Sequence, residues 1–440
     1  MQILGFDFWE HLYVWRNYTI QIGVPKNQNL VFAMLYGCVW CKIAGTQVNC
    51  YAWEQRKLGE VAETFEYGLN AAATDFDGIN KYIRITDIDD ESRKFKTDNV
   101  TSPDCDLSLA HNYKLRDGDI LFARTGASVG KSYRYIENDG LVYFAGFLIR
   151  ARLNKDVDTD FIYQNTMTKK YSDFIKIMSQ RSGQPGVNAQ EFAGFALNVP
   201  CLEEQQTLGT FFRTLDTTIA LYKRKLDKML KLKTALLQNM FPQTGERLPK
   251  VRFHGFDGDW EERSASDIFF SVSNKGHSDL PVLSASQEYG MILRNDIGID
   301  IKFDNSNTAS YKRVLPGQFV IHLRSFQGGL AYSSIEGITS PAYTVLDFVN
   351  KNEQIPEFWI DILKSDKFIK MLESVTYGIR DGRSISFNDF SILKLSFPSY
   401  KEQIAISEFF HSLDCIINEL QRKGEGLFKL KSAYLQKMFI

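Results

Sequence analysis

The 440 residues hold only six cysteines and eleven prolines, and their charges nearly cancel, at a net −1. Each shortage excludes something. Six thiols (Cys38, Cys41, Cys50, Cys105, Cys201 and Cys415) are too few for a disulfide scaffold at this length, and no secretory signal precedes them. Reduced thiols and a cytoplasmic location are therefore expected. The "CVWC" at 38–41 has no second Cys or Cys/His pair at zinc spacing, and Cys50 alone would leave a site one ligand short, so no metal is expected. The apolar run at 29–45 falls short of the roughly 20 residues that span a bilayer. A balanced charge removes any global signature of a polyanion binder and leaves room only for local basic patches.

Catalytic constellations are missing as well. The chain has no G-x-S-x-G elbow, no H-E-x-x-H, no locally supported Cys-His signature, no G-x-G-x-x-G after a strand and no N-P-P-[FY] run. The stretch closest to a nucleotide site is "ARTGASVGKSY" at 123–133. A P-loop places four residues between its glycines so that successive N–H groups curl around phosphate. Here only Ala127, Ser128 and Val129 separate Gly126 from Gly130. The segment that follows is aromatic and alternating, with a polar turn at 137–140, and predicts two further strands where a P-loop would start a helix. ATP binding is thus not expected, and Lys131 needs another use.

The dominant feature present is a duplication, the first thing to seek in a chain of this length. Residues 199–241 align without a gap on residues 397–439, at an offset of 198. Glu204/Glu402, Gln205/Gln403, Phe211-Phe212/Phe409-Phe410, Leu215-Asp216/Leu413-Asp414, Lys233/Lys431 and Met240-Phe241/Met438-Phe439 all coincide. Apolar residues recur at steps of three and four through both copies, which marks one stripe of a long helix. About 35 such residues make a rod on the order of 50 Å long. Gly424 and Gly426 weaken the middle of the second copy. Two such rods in one chain pack most simply as an antiparallel coiled coil.

Between these copies the halves agree much less. "LRDGDILFARTGASVGKSY" (115–133) faces "VLPGQFVIHLRSFQGGLAY" (314–332), and Lys131 becomes Leu330. "WEQRKLGEVAE" at 53–63 faces "WEERSASDIFF" at 260–270. The expected organisation is an atypical segment at 1–52, a variable domain at 53–198, a helix and linker at 199–247, a second variable domain at 248–396, and a second helix at 397–440. The variable domains mix short strands with helices such as 356–375, so the fold class is α+β: two tandem α/β domains separated by two long helices, with an internal pseudo-twofold repeat.

Four polar, glycine-loosened loops occupy corresponding places in the halves. They offer Arg124, Thr125, Ser128 and Lys131; then Arg181, Ser182, Gln184 and Asn188; then Arg324, Ser325 and Gln327; and finally Arg380, Arg383 and Ser384. Arg pairs bidentately with guanine, Asn and Gln with adenine, and Lys, Ser and Thr suit phosphates. The plainer reading is of solvated turns, polar because loops are polar. Four loops at matching positions favour double-stranded DNA.

Taken together, "WEQRKLGEVAE", "GDILFARTGASVGKS", the two "EQ…FF…LD…LQ-x-MF" helices and "LPKVRFHGFDGDWEER" resemble the specificity subunits of type I restriction–modification systems. The resemblance covers about 53–440. It implies two target-recognition domains that each read one half of a split DNA sequence, and spacer helices, carrying Phe211, Phe212, Leu215, Phe409, Phe410 and Leu413, that dock other subunits. It also implies a non-catalytic chain. Two methyltransferase subunits for adenine-N6 methylation and two restriction/translocase subunits would join it, and S-adenosylmethionine, ATP and Mg²⁺ would belong to those partners. A segment of the "LPKVRFHGFDGDW" type precedes each recognition domain in that family, whereas here it precedes only Trp260. The alternatives are a self-contained enzyme and a coiled-coil adaptor that binds protein partners without reading DNA.

Overall fold

The computed structural model describes residues 53–180, 185–243, 245–297, 305–375 and 385–439. The readings placed on residues 1–52, on Arg181, Ser182 and Gln184, and on Arg380, Arg383 and Ser384 lie outside the described residues. The chain divides into two compact units, Met1–Lys223 with Lys423–Ile440, and Arg224–Arg422. Each long helix therefore contributes one part to each unit.

In the first unit an antiparallel sheet runs in the order Ala62–Tyr67, Leu148–Leu153, Ile120–Ala123, Ser132–Arg134. The stretch "ILFA" is apolar throughout because both faces of its strand are covered. Ile120 and Phe122 point into a core with Phe161, Ile162 and Phe192, while Leu121 and Ala123 point into another with Ile83, Tyr133 and Phe144. A second sheet orders Ala72–Asp75, Thr101–Asp104, Lys81–Ile83 and Val142–Phe144, with one parallel pairing. Glu54–Lys57 pairs antiparallel with Ala196–Val199, which closes the domain just before the helix begins at Leu202.

The second unit repeats the central sheet in the same order: Phe269–Val272, Thr344–Phe348, Phe319–Ile321, Ala331–Tyr332. Its closing pair is Glu261–Ser264 with Lys394–Phe397. One expectation changes. The stretch 356–375 is two helices, Pro356–Ile362 and Asp366–Ser374, not one. The Leu363 carbonyl accepts from Leu330 N at 3.0 Å, and Ser365 caps the second helix by accepting from Phe368 N, so the chain turns where a longer helix would have continued.

The long helices span Leu202–Met240 and Tyr400–Met438. The second passes unbroken through Gly424 and Gly426. Within the first unit, Phe212 meets Phe439 (5.4 Å), Phe211 meets Tyr434 (5.6 Å), and Lys431 Nζ donates to Asp216 at 2.6 Å. Within the second, Phe410 meets Phe241 (6.0 Å) and Lys233 Nζ donates to Asp414 at 2.6 Å. From 212/439 to 216/431, and from 233/414 to 241/410, one number rises as the other falls, so the segments run antiparallel in both units.

A buried glutamine fastens each helix start to its domain. Gln205 Oε1 accepts from Asp158 N (3.0 Å) while its Nε2 donates to Pro200 O (2.8 Å). Gln403 does the same with Ile355 N (3.0 Å) and with Pro398 O and Glu353 O (both 3.1 Å). Both are at most 2% exposed. Gly209 allows the first helix to approach closely, since a Cβ there would lie 2.2 Å from Asp158 Oδ1 and 2.9 Å from Phe161 N. Replacing either glutamine with leucine strands a buried N–H and C=O, so Gln205→Leu and Gln403→Leu should each destabilise by on the order of 3 kcal/mol. Denaturant unfolding checks this, and a loss under about 1 kcal/mol would contradict the clamp.

Candidate nucleic-acid interface

The loop after strand Ile120–Ala123 folds back on itself, with Gly130 N donating to Ala123 O and Ala123 N to Lys131 O, both at 2.8 Å. Gly126 and Gly130 have φ of 70° and 80°, a left-handed backbone that suits glycine. A strand, Ser132–Arg134, follows, not a helix. The strand stands where a P-loop would begin a helix.

Two of the polar loops come together. Arg124 O accepts from Val187 N (2.9 Å), Pro185 O accepts from Gly126 N (3.1 Å), and Thr125 forms a bridge with Gly186. The Arg124 guanidinium lies over the Tyr67 ring, 5.0 Å from its centroid. The Tyr67 hydroxyl in turn accepts from Ala189 N at 3.3 Å. Ring and loop thus hold the arginine between them.

Beside it lies an open groove of about 540 Å³ lined by Tyr67, Asn70, Arg84, Thr86, Arg124 and Phe147, among others. Asp87 pins Arg84 through two hydrogen bonds of 2.9 and 3.0 Å. Tyr67 and Phe147 present large exposed rings, Phe147 at 59%. Guanidinium forks, a carboxamide and ring faces in one groove match the groups that read base edges and stack on bases. Sequence reasoning missed Tyr67, Asn70, Arg84 and Phe147. They stand on separate strands and turns, and no local motif joins them; the only signal was an aromatic residue beside a glycine at Tyr67-Gly68 and Gly146-Phe147.

Other candidates in this unit have structural occupations. Lys131 pairs with Asp90. Asn188 caps helix Ala189–Ala193, accepting from Glu191 N at 2.9 Å while Glu191 reaches back to its own N–H. Ser128 O accepts from Lys131 N at 3.0 Å inside the loop.

In the second unit Arg324 and Gln327 are exposed around the short helix Ser325–Gly328, whereas Ser325 is fully buried and accepts from His322 N at 2.9 Å. Leu330, the counterpart of Lys131, is a core residue. His322 is pushed down to about 4, chiefly by burial, so a neutral ring underlies this loop. Arg324 and Gln327 are the sequence-named side chains left free to face solvent here.

The six helix residues named from the sequence pack against the unit cores to different degrees. Phe212, Leu215, Phe410 and Leu413 are buried, and Phe211 and Phe409 are partly buried against the same cores. Among the described residues, no group of three or more His, Cys, Asp or Glu side chains is placed to hold a metal ion, and no helix is long and apolar enough to cross a membrane.

A family model described as the type I restriction modification DNA specificity domain matches residues 52–231. Across these residues the chain is similar to the specificity subunits of type I restriction–modification systems. The type I restriction enzyme MjaVIII specificity subunit of Methanocaldococcus jannaschii is 22% identical over 334 residues, covering 72% of this chain and 77% of the relative. The crystal structure of the type I restriction–modification S subunit from M. genitalium has the same fold, with a TM-score of 0.57 at 13% identity, over 90% of this chain and 97% of that one. The matched family segment covers the first sheet domain and most of the first helix; the internal repeat extends the same plan to the second half.

Proposed function

We propose that each unit of this specificity subunit reads one half of a split, asymmetric DNA target, and that the chain carries no catalysis of its own. The observation that carries this reading is a contrast. The helix starts, glutamine clamps and central sheets repeat, while equivalent loops carry different side chains. Arg124 sits in an aromatic groove in one unit; Arg324 and Gln327 stand on a short helix in the other. Even the sheet interiors have diverged, since Asp119 pairs with Arg152 (2.9 and 2.8 Å) where the other unit joins Gln318 to Asp347 (2.8 Å). A conserved frame with unlike reading surfaces suits two different half-sites. Phosphate contacts would position each unit and base-edge contacts would specify it. Both helices run continuously from one unit into the other.

Partner docking also has support in the helices. Leu230 and Leu232 on the first helix are exposed, and so are their counterparts Phe428 and Leu430 on the second. Exposed apolar residues at matching places suit two copies of one partner, here the methyltransferase subunits, with restriction/translocase subunits joining the assembly. S-adenosylmethionine, ATP and Mg²⁺ are assigned to those partners.

Three outcomes are expected. Co-expression with a methyltransferase subunit in a methylation-free host, followed by sequencing for N6-methyladenine, should reveal a split motif with a fixed gap; exchanging residues 258–396 should alter one half of it only. A change in both halves would contradict modular reading. Arg124→Ala should slow methylation of the target about 10- to 100-fold, the cost of about 1–3 kcal/mol for a lost bidentate base contact, and relax only the half-site read by the first unit. An unaltered methylation rate would remove Arg124 from the interface. Leu230→Lys with Phe428→Lys should abolish co-purification of the methyltransferase subunit without lowering the melting temperature, and each change alone should leave a single copy bound in native mass spectrometry.

A further inference from the structure

A recess of about 770 Å³ lies within the second unit. Its walls come from the end of the first long helix, the helix Asp366–Ser374 and the closing strand Lys394–Phe397. Five lysines line it, Lys250, Lys364, Lys367, Lys370 and Lys394, against two aspartates, Asp361 and Asp366. Phe241, Trp260, Phe368 and Leu395 supply apolar lining. The first turn of helix Asp366–Ser374 is part of the wall, so the positive end of that helix adds to the lysines, and Asp366 in the same turn offsets some of it.

These cations have only neutral partners. Lys364 Nζ donates to Glu288 O at 3.2 Å, Lys367 Nζ to Pro242 O at 3.0 Å, and Lys394 Nζ to Ser264 Oγ at 3.0 Å. None of the five forms an ion pair with a described carboxylate, whereas Lys131, Lys233 and Lys431 each have one. Lys364 and Lys367 are partly withdrawn from water, and burial lowers both ammonium groups below their ordinary values, with Asp361 offsetting only part of this at Lys364. A desolvated cation facing neutral oxygens is a cost that a bound anion removes. Trp260 adds a donor: it is 3% exposed, and its indole N–H has no hydrogen-bond partner, which is uncommon for a buried polar group.

The lysines are also peculiar to this unit. Ser365 caps its helix as Thr168 caps Lys169–Ser179, and Lys394 opens its strand as Ala196 does in the first unit. On that register Met167 replaces Lys364, Asp173 replaces Lys370 and Ala196 replaces Lys394, while Lys367 keeps a counterpart in Lys170. The shared frame forms without the first three charges, so folding does not account for them.

We propose that this recess binds a small phosphorylated molecule carrying at least two phosphate groups. Its volume falls in the range of roughly 300–1,000 Å³ that holds small ligands. Among the described lining residues the cations are all lysines, which attract phosphate as point charges; a carboxylate ligand would favour the arginine fork. Ammonium groups spread over a linker, a turn, a helix and a strand suit more than one phosphate. The proposal goes beyond the reading of bases and does not depend on it.

The probe is pyrophosphate, titrated calorimetrically into the full chain without divalent metal. One equivalent should bind saturably, about tenfold more weakly after Lys250→Gln with Lys370→Gln, which removes two charged hydrogen-bond donors. Neither side chain has a described protein partner, so the melting temperature should hold; each change alone should also weaken binding, which keeps the test valid if the pair perturbs folding. Lys170→Gln, in the first unit, should leave the affinity unchanged. Absence of saturable binding, or an equal loss with Lys170→Gln, would overturn the site. Sulfate binding as tightly as pyrophosphate would overturn the requirement for two phosphates. Displacement of pyrophosphate by a short DNA duplex would assign the lysines to the nucleic-acid backbone and overturn the small-molecule assignment. Methylation of the target by the assembled complex is measured separately, so the recess and the DNA reading stand or fail independently.

Discussion

Each sheet domain has its core completed by the far end of the helix that starts in the other half of the sequence. Phe439 stacks on Phe161 at 5.3 Å and meets Phe212, while Phe241 lies 5.9 Å from Phe358 and meets Phe410. The remaining features follow from these two aromatic insertions. The lysine–aspartate pairs at Asp216 and Asp414 fix the register one turn or so along, and the glutamine clamps fix where each helix leaves its domain. Neither pair is worth much alone at a partly exposed position; their value lies in selecting one antiparallel register among several that the apolar stripe would tolerate.

Such a frame separates two demands that usually conflict. Stability rests on residues that both halves share: Gln205 and Gln403, Phe212 and Phe410, Asp216 and Asp414. On the proposed reading, recognition rests on loops and strand ends that the halves do not share. A substitution at Arg124 or Phe147 touches no helix clamp, so the reading surface is free to diversify while the core stays constant. The buried polar pair beneath each sheet has itself changed partners, from Asp119–Arg152 to Gln318–Asp347, without disturbing the strand order.

The helices, their antiparallel pairing and the duplication were legible in the sequence because repeat and stripe are linear patterns. The short strand after Gly130 was legible for the same reason. The groove was not, since Tyr67, Arg84, Arg124 and Phe147 meet only after two sheets fold. Polarity misled at Ser325: a buried hydroxyl that accepts from a backbone N–H looks like a binding group when only residue type is visible. The helix phenylalanines were visible as a stripe, but which face they serve depends on what packs there, and periodicity alone does not carry that information.

The position of Phe439 has a further implication for how this protein tolerates damage. Phe439 and Leu435 belong to the core of the unit that holds Arg124. Damage confined to this stretch of the second long helix would leave the second sheet domain intact, yet the defect would appear in the first. The last turn of that helix functions as an internal part of a domain built from residues far earlier in the sequence.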